Sequence, residues 1–433
     1  MTRVFGIELR RSAAPGAALM IAGLGALLLY LAAESAIGGW MHLAMGQRLF
    51  LAVLWPLALA AGAWQASRER RAKVSELFTT TPRPPVQRAV PVLAAMAVAV
   101  TCGYLVMAGA GAIPFATTAG YLPAASLAVT AVGVLSLIAA VWLGLAVGRA
   151  LPWPLTAPAL AIAGLALLLT IPMMTRPHGW LALVFSPIYE MNLPGAWATV
   201  PGRVSTAQAI WLGALALSGL LWFAASGRPA RIAAVLPAVL GAALAITVMP
   251  HQNRQVLDAI DPVARELVCT TDAPRVCVSR VHAGMLSEVT GPAREGLSLL
   301  ARVPGAPTRV HEDTTIYYPE NYPQWSDDAV PLRLETLPGT APTAPGDLVP
   351  EVVAGAFASP PTCAEDYAPM ADRYAAAYWL LDREPSGERA ESAEIWFALT
   401  RLPAEEALAK VADLRRAALA CTASGGLLGE VSR

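Results

Sequence analysis

The sequence predicts a helical membrane protein of about seven spans, followed by a soluble α+β domain outside the membrane. Three observations predict it. The 433 residues are 56% hydrophobic and only 14% charged, with a mean hydropathy of +0.51, high for a soluble chain. Seven apolar stretches approach the ~20 residues that cross a bilayer as a helix. Charge is also divided along the chain: fifteen basic and five acidic residues up to Pro250, then sixteen basic and twenty-six acidic from His251 onward.

The apolar stretches run from Ala17 to Ala33, Leu49 to Trp64, Val90 to Ile113, Ala124 to Gly148, Leu155 to Met174, Ala207 to Ala225 and Ile232 to Pro250. Helices are required, because backbone polar groups cannot go unpaired in lipid. The second stretch is the shortest, and Pro56 is expected to kink it. None of the seven contains Asp, Glu, Lys, Arg or His. Six of them fall in residues 1–228, the seventh in 229–250, and the exported domain in 251–433. The first stretch could also be read as a signal peptide cleaved near Ala33, but its apolar core is longer than the usual 7–15 residues.

Orientation follows from basic residues in short connections. With the N-terminus inside, inner connections carry Arg3, Arg10, Arg11, Arg68, Arg70, Arg71, Lys73, Arg83, Arg88, Arg149, Arg228 and Arg231. Outer connections carry only Arg48, Arg176 and Arg203. An odd number of spans then leaves the tail outside. Lysine occurs only at Lys73 and Lys410, and arginine carries most of the positive charge, a composition expected of a GC-rich bacterium and its cytoplasmic membrane.

Cysteine usage agrees. Cys102 lies in the third stretch, and Cys269, Cys277, Cys363 and Cys421 all lie in the tail. An even number in an exported segment implies two disulfides. The favoured pairs are Cys269–Cys277, a local loop, and Cys363–Cys421, which would pin the ends of a helical region. A zinc site on Cys269, Cys277 and His282 is the alternative, although its spacing fits no standard finger.

The connection ASRERRAKVSELFTTTPRPPVQRAV, Ala66 to Val90, carries more positive charge than topology requires. Val74, Leu77 and Phe78 fall at i, i+3, i+4 and share one face of a short helix. Arg70, Arg71, Lys73 and Glu76 crowd its other sides, and Pro82, Pro84 and Pro85 end it. Such a helix suits anionic lipid or a groove on a partner.

This segment, placed between spans two and three, resembles the cytoplasmic coupling helix of type-2 ABC exporter permeases. The opening MTRVFGIELRRS is similar to that family's N-terminal interfacial helix, with Phe5 and Leu9 on one face. Arg176 to Val204 resembles the short re-entrant helices the family carries between spans five and six. Its Trp180, Phe185, Tyr189 and Trp197 suit a water–lipid interface. The resemblance covers Met1 to Ala225. It implies a six-span permease with no catalytic or metal site, paired as a homodimer or with a related permease. It also implies a separate ATP-binding subunit that docks on Arg70, Arg71, Lys73, Val74, Leu77 and Phe78 and holds the ATP and Mg. The seventh span and the tail depart from the six-span pattern.

Two absences fit that implication. Ion-coupled transporters bury charged residues along their path, and these stretches hold none. A P-loop needs Gly-Lys, whereas both lysines follow alanine. No cofactor on this chain and no nucleic-acid partner are expected, and membrane lipid is.

The 183-residue tail is long enough for its own core. Helices are expected over Asn253 to Cys269 and Gly284 to Val303, the latter interrupted at Gly291-Pro292, with strands at RVCVSRV, TRVHEDTTIYY and VPLRLETL. Two or three helices follow Cys363. His311 to Asp313 is a further acid–base or metal candidate, without an H-E-x-x-H motif. Tyr322 and Trp325, in the acidic PENYPQWSDD loop, are candidate contacts for a cationic or peptide ligand. The expected function is the permease subunit of an ABC exporter. The alternative is a membrane-anchored receptor or scaffold that displays the outer domain, and a third, an outer-face hydrolase, lacks convergent polar side chains.

Overall fold

A computed structural model of the chain describes residues 2–31, 39–68, 85–113, 120–188, 196–225, 227–253, 259–317, 320–321, 325–334, 348–363, 366–423 and 427–428. The chain divides into two compact units, one of Met1–Ala116 with Leu122–Asp261, the other of Thr117–Tyr121 with Pro262–Arg433.

The first unit is helical: α1 (Thr2–Arg11), α2 (Ala14–Leu31), α3 (Gly39–Ala66), α4 (Pro85–Ala112), α5 (Ala124–Ala150), α6 (Thr156–Met174), α7 (Gly179–Phe185), α8 (Gly202–Ala224), α9 (Arg228–Ala233) and α10 (Leu236–Val248). Seven helices are long and apolar enough to cross a membrane, with α9 and α10 together forming the seventh. Pro237 explains that division. It lacks an N–H and its ring clashes one turn back, so the helix restarts at Leu236. The freed Ala238 N–H donates to Ser218 Oγ on α8 at 3.0 Å, so this donor is not stranded in hydrocarbon.

α3 and α5 cross closely, and glycine permits it. A Cβ on Gly144 would lie 2.1 Å from Leu59 O, and one on Gly62 2.2 Å from Val141 O. Gly148 faces Ala63 in the same way, so Gly144 and Gly148 form a G-x-x-x-G seam. Around it Leu54, Ala58, Met96, Val100, Leu137 and Leu145 make an apolar core. By contrast α6 and α10 leave Ile162, Leu169, Met173, Val239 and Leu240 exposed, as lipid-facing helices do.

One end of the bundle is tied by polar groups. Gln65 Oε1, near the end of α3, accepts from Ala13 N at 2.8 Å and caps the start of α2. Arg68 meets Glu8 of α1 at 3.5 Å. Arg149, at the end of α5, donates to Phe223 O at 2.5 Å and caps the end of α8.

α3 begins ten residues earlier than its apolar stretch, at Gly39, and so takes in His42 and Arg48. Arg48 was expected in an outer connection and the spans were expected to be free of charge. Instead it is buried within the bundle, 1% exposed, because tertiary partners compensate it.

The second unit is α+β. A four-stranded sheet has the order β1 (Leu267–Cys269), β2 (Val276–Ser279), β3 (Arg309–Glu312), β6 (Ala329–Leu332). β1 and β2 are antiparallel, while β2–β3 and β3–β6 are parallel. β4 (Ile316–Tyr317) and β5 (Glu320–Asn321) pair separately. α11 (Pro262–Arg265) is a single turn; of the helix expected over Asn253 to Cys269, residues 254–258 lie outside the described residues, Ile260 forms a β-bridge, and Leu267 starts a strand, pairing with Ser279. α12 (Leu286–Leu300) crosses from β2 to β3, burying Val289, Ala293, Leu297 and Leu300. It runs unbroken through Pro292, where an interruption was expected. Burial of this face on both sides of the proline outweighs one lost hydrogen bond.

α13 (Leu348–Gly355), α14 (Met370–Leu380), α15 (Ala393–Thr400) and α16 (Ala404–Leu419) complete the unit. Arg415 of α16 joins three loops, donating to Gly305 O at 3.0 Å, to Asp327 O at 2.6 Å and to Ala356 O. The disulfides pair Cys269 with Cys277, directly across β1 and β2, and Cys363 with Cys421. The first leaves no thiolate for the alternative zinc site.

Candidate functional site

The residues expected to dock an ATPase, Arg70, Arg71, Lys73, Val74, Leu77 and Phe78, lie outside the described residues. Their flanks are described. Arg68, bonded to Glu8, brings the end of α3 to α1, whose Leu9 packs on the core.

A network of buried polar side chains surrounds α7. This seven-residue helix is too short to hold itself, and its last carbonyls have no intrahelical donor. Side chains from α3 and α8 supply the donors. Gln208 Nε2 donates to Leu183 O at 2.9 Å, and Trp211 Nε1 to Phe185 O at 3.2 Å. Arg48 donates to Pro187 O from Nε at 2.8 Å and Nη2 at 2.6 Å, and from Nη1 to Gln208 Oε1 at 3.3 Å. A fixed cation thus sits where the helix dipole is negative. The opposite end is held by Asn253, whose Oδ1 accepts from Trp180 N at 2.9 Å.

Of the four aromatic residues expected at the water–lipid interface, two are packed inside instead, Phe185 is half-buried, and Tyr189 lies outside the described residues. Trp180 is buried and stacks on His251 at 4.6 Å, and Trp197 is buried. After α7 the chain returns through a bridge between Ala198 and Ile260, with Asp261 N donating to Trp197 O at 2.9 Å. Sequence reasoning missed Arg48 and Gln208. The only signal was two polar residues, Gln47 and Arg48, at the edge of an apolar run.

In the second unit, β3 alternates, and this separates the His311 to Asp313 run. Glu312 points inward: its Oε2 accepts from Ser279 N at 2.6 Å and its Oε1 meets His282 Nδ1 at 2.6 Å. His311 points the other way, its pKa lowered by burial and then by nearby Arg309. Asp313 pairs with Arg333 at 3.0 Å. The Ser279 hydroxyl lies 3.2 Å from the same His282 nitrogen that meets the carboxylate. A hydrolytic triad needs its serine on the other ring nitrogen. The three side chains are also at most 4% exposed, so this cluster is a structural brace and not a nucleophile site.

Tyr322 lies outside the described residues, while Trp325 is half-buried with its Nε1 donating to Asp327 at 3.0 Å. Among the described residues no cluster of three metal-ligating side chains occurs. No family model, curated protein or solved structure matches the chain.

Proposed function

We propose that this protein is the membrane permease subunit of an ABC exporter, driven by a separate ATP-binding subunit. The observation that carries the reading is α7, a short helix between the fifth and sixth spans whose carboxyl end is fixed inside the bundle by Arg48, Gln208 and Trp211. An isolated anchor has no use for a buried arginine, because a charge within a span is costly unless it organises something. The amphipathic α1, tied to the end of α3 through Glu8 and Arg68, supports the same layout.

In this reading ATP and Mg sit on the partner, and Arg70, Arg71, Lys73, Leu77 and Phe78 face it. Two permeases pair, as a homodimer or a heterodimer. The chain lies in a bacterial cytoplasmic membrane with its tail outside, where the disulfides stay oxidised. The tail receives or gates the cargo. The test is affinity purification in mild detergent. An ATP-binding protein should co-elute with the wild type and be lost with Leu77→Asp, Phe78→Asp, while insertion is unchanged. Co-elution of a sensor kinase or protease in its place would favour the receptor alternative, and undiminished capture of the ATPase by the double variant would refute the coupling role.

A further inference from the structure

The parallel strands β3 and β6 end at Glu312 and Leu332. The next residues on each, Asp313 and Arg333, pair at 3.0 Å. Ligands of open parallel sheets gather at this carboxyl edge. The end of α13 packs on the same strand, since a Cβ on Gly355 would lie 2.8 Å from Pro331 O. One turn back on α13, Glu351 is fully engaged. Tyr374 donates to its Oε2 at 2.6 Å, and Arg389, in the turn before α15, to its Oε1 at 2.9 Å. The Arg389 guanidinium also lies 3.9 Å from the centre of the Tyr374 ring.

Arg373, beside Tyr374 on α14, is not engaged in this way. Its Nε donates to Ala354 O at 3.3 Å and caps the end of α13. That role uses one nitrogen of three. Nη1 and Nη2 have no acceptor among the described residues; the side chain is half-buried, and neither nitrogen is sealed inside. No described carboxylate pairs with Arg373, because Arg389 holds Glu351 and Arg333 holds Asp313. Asp313 also faces Arg265, which donates to Thr314 O at 3.0 Å. Burial lowers the Arg373 pKa most, and the charges of Arg333 and Arg389 lower it further, against Tyr374 and Glu351. Among the described residues, four guanidiniums thus share two carboxylates at this edge. A half-buried cation crowded by like charges is satisfied when an anion completes it.

We propose that the carboxyl edge of β3 and β6 binds an oxyanion, a carboxylate or phosphate group, with two of its oxygens on Nη1 and Nη2 of Arg373 and with Arg333 and Arg389 flanking it. A planar guanidinium fork matches two oxygens of one group, which the point charge of a lysine does not. Chloride, a single atom, cannot bridge the fork in that way. The inference concerns the tail alone and does not depend on the transport reading.

The test uses the full chain in dodecyl maltoside. Inorganic phosphate and, separately, succinate replace sodium chloride at constant ionic strength. Binding is followed by the phosphorus NMR line of one and the methylene proton line of the other. At least one line should broaden in a saturable way. Stronger binding of succinate assigns a carboxylate, and stronger binding of phosphate assigns a phosphate. Competition by phosphatidylglycerol micelles then assigns a lipid headgroup as its source, and its absence a free anion. Arg373→Lys keeps the charge and loses the fork, and should weaken binding about ten-fold. Arg333→Gln, at an exposed position, should weaken it about three-fold. Arg401→Gln, an exposed arginine outside the cluster, should change nothing. Hydrogen exchange over residues 370–380 confirms that each variant is folded. The proposal is overturned if neither anion binds saturably, or if Arg401→Gln weakens binding as much as Arg373→Lys and Arg333→Gln do, since the effect is then one of net charge.

Discussion

Single buried polar residues decide much of this molecule. Arg48 was invisible as a span residue because hydropathy windows stop at charges. Only the fold reveals that Pro187 O and Gln208 await it. In the tail, Asp372 is buried in the first turn of α14, accepting from Leu428 N at 3.2 Å. Burial pushes its carboxyl pKa up, and the Leu428 hydrogen bond opposes this only in part. A carboxyl raised above its unfolded value of about 3.9 favours folding most below that value. The contribution is lost as pH rises through the folded pKa. At neutral pH the charged form therefore costs stability. Asp372→Asn keeps an acceptor for Leu428 and removes the charge. It should raise the unfolding temperature of residues 262–433 at pH 7, measured by hydrogen exchange on the purified chain. The gain should shrink toward zero as pH approaches 4. A gain independent of pH would refute the electrostatic cause.

Elements were legible where one physical signal dominated. All seven helices long and apolar enough to cross a membrane were visible because ~20 apolar residues leave a bilayer helix as the only backbone solution. The disulfides were visible because four of the five cysteines fall in the polar tail, where they pair by sequence proximity and helix packing. The tail was less legible. Leu267 carries helical spacing, but its ladder to Ser279 makes it a strand, and Pro292 reads as a break although α12 continues past it. Interfaces were not legible at all: the chain is so rich in small residues that Gly144 and Gly148 do not stand out. Yet at Gly144 a Cβ meets a backbone carbonyl, which cannot swing away as a side chain could. Gly144→Val should force α3 and α5 apart and cost about 3 kcal/mol or more. Gly46→Ala, on α3 with nothing within 4 Å, should be neutral or stabilising by up to about 1 kcal/mol. Thermal unfolding in detergent distinguishes the two, and equal effects would show that the seam is not tight.

At the scale of the whole molecule, one asymmetry governs the proposed function. Basic residues gather at the connections that hold Arg68 and Arg149, and moving Arg48 into the bundle leaves only Arg176 and Arg203 on the opposite side. In the proposed orientation the positive-inside rule would put α1 and the Ala66 to Val90 connection in the cytoplasm and the tail outside. An oxidising exterior also accounts for two disulfides, of which Cys363–Cys421 closes a 58-residue separation and stabilises by about 4 kcal/mol on the chain-entropy model. These two lines of argument, one from arginine and one from cysteine, are independent, and a single experiment tests both. Cys269 is exposed and bridged, so in intact cells a membrane-impermeant maleimide should leave it unlabelled until an impermeant reductant is added. Labelling without reductant would refute the bridge. Labelling only after lysis would put the tail in the cytosol, reverse every connection, and remove the coupling segment from the side where ATP is hydrolysed.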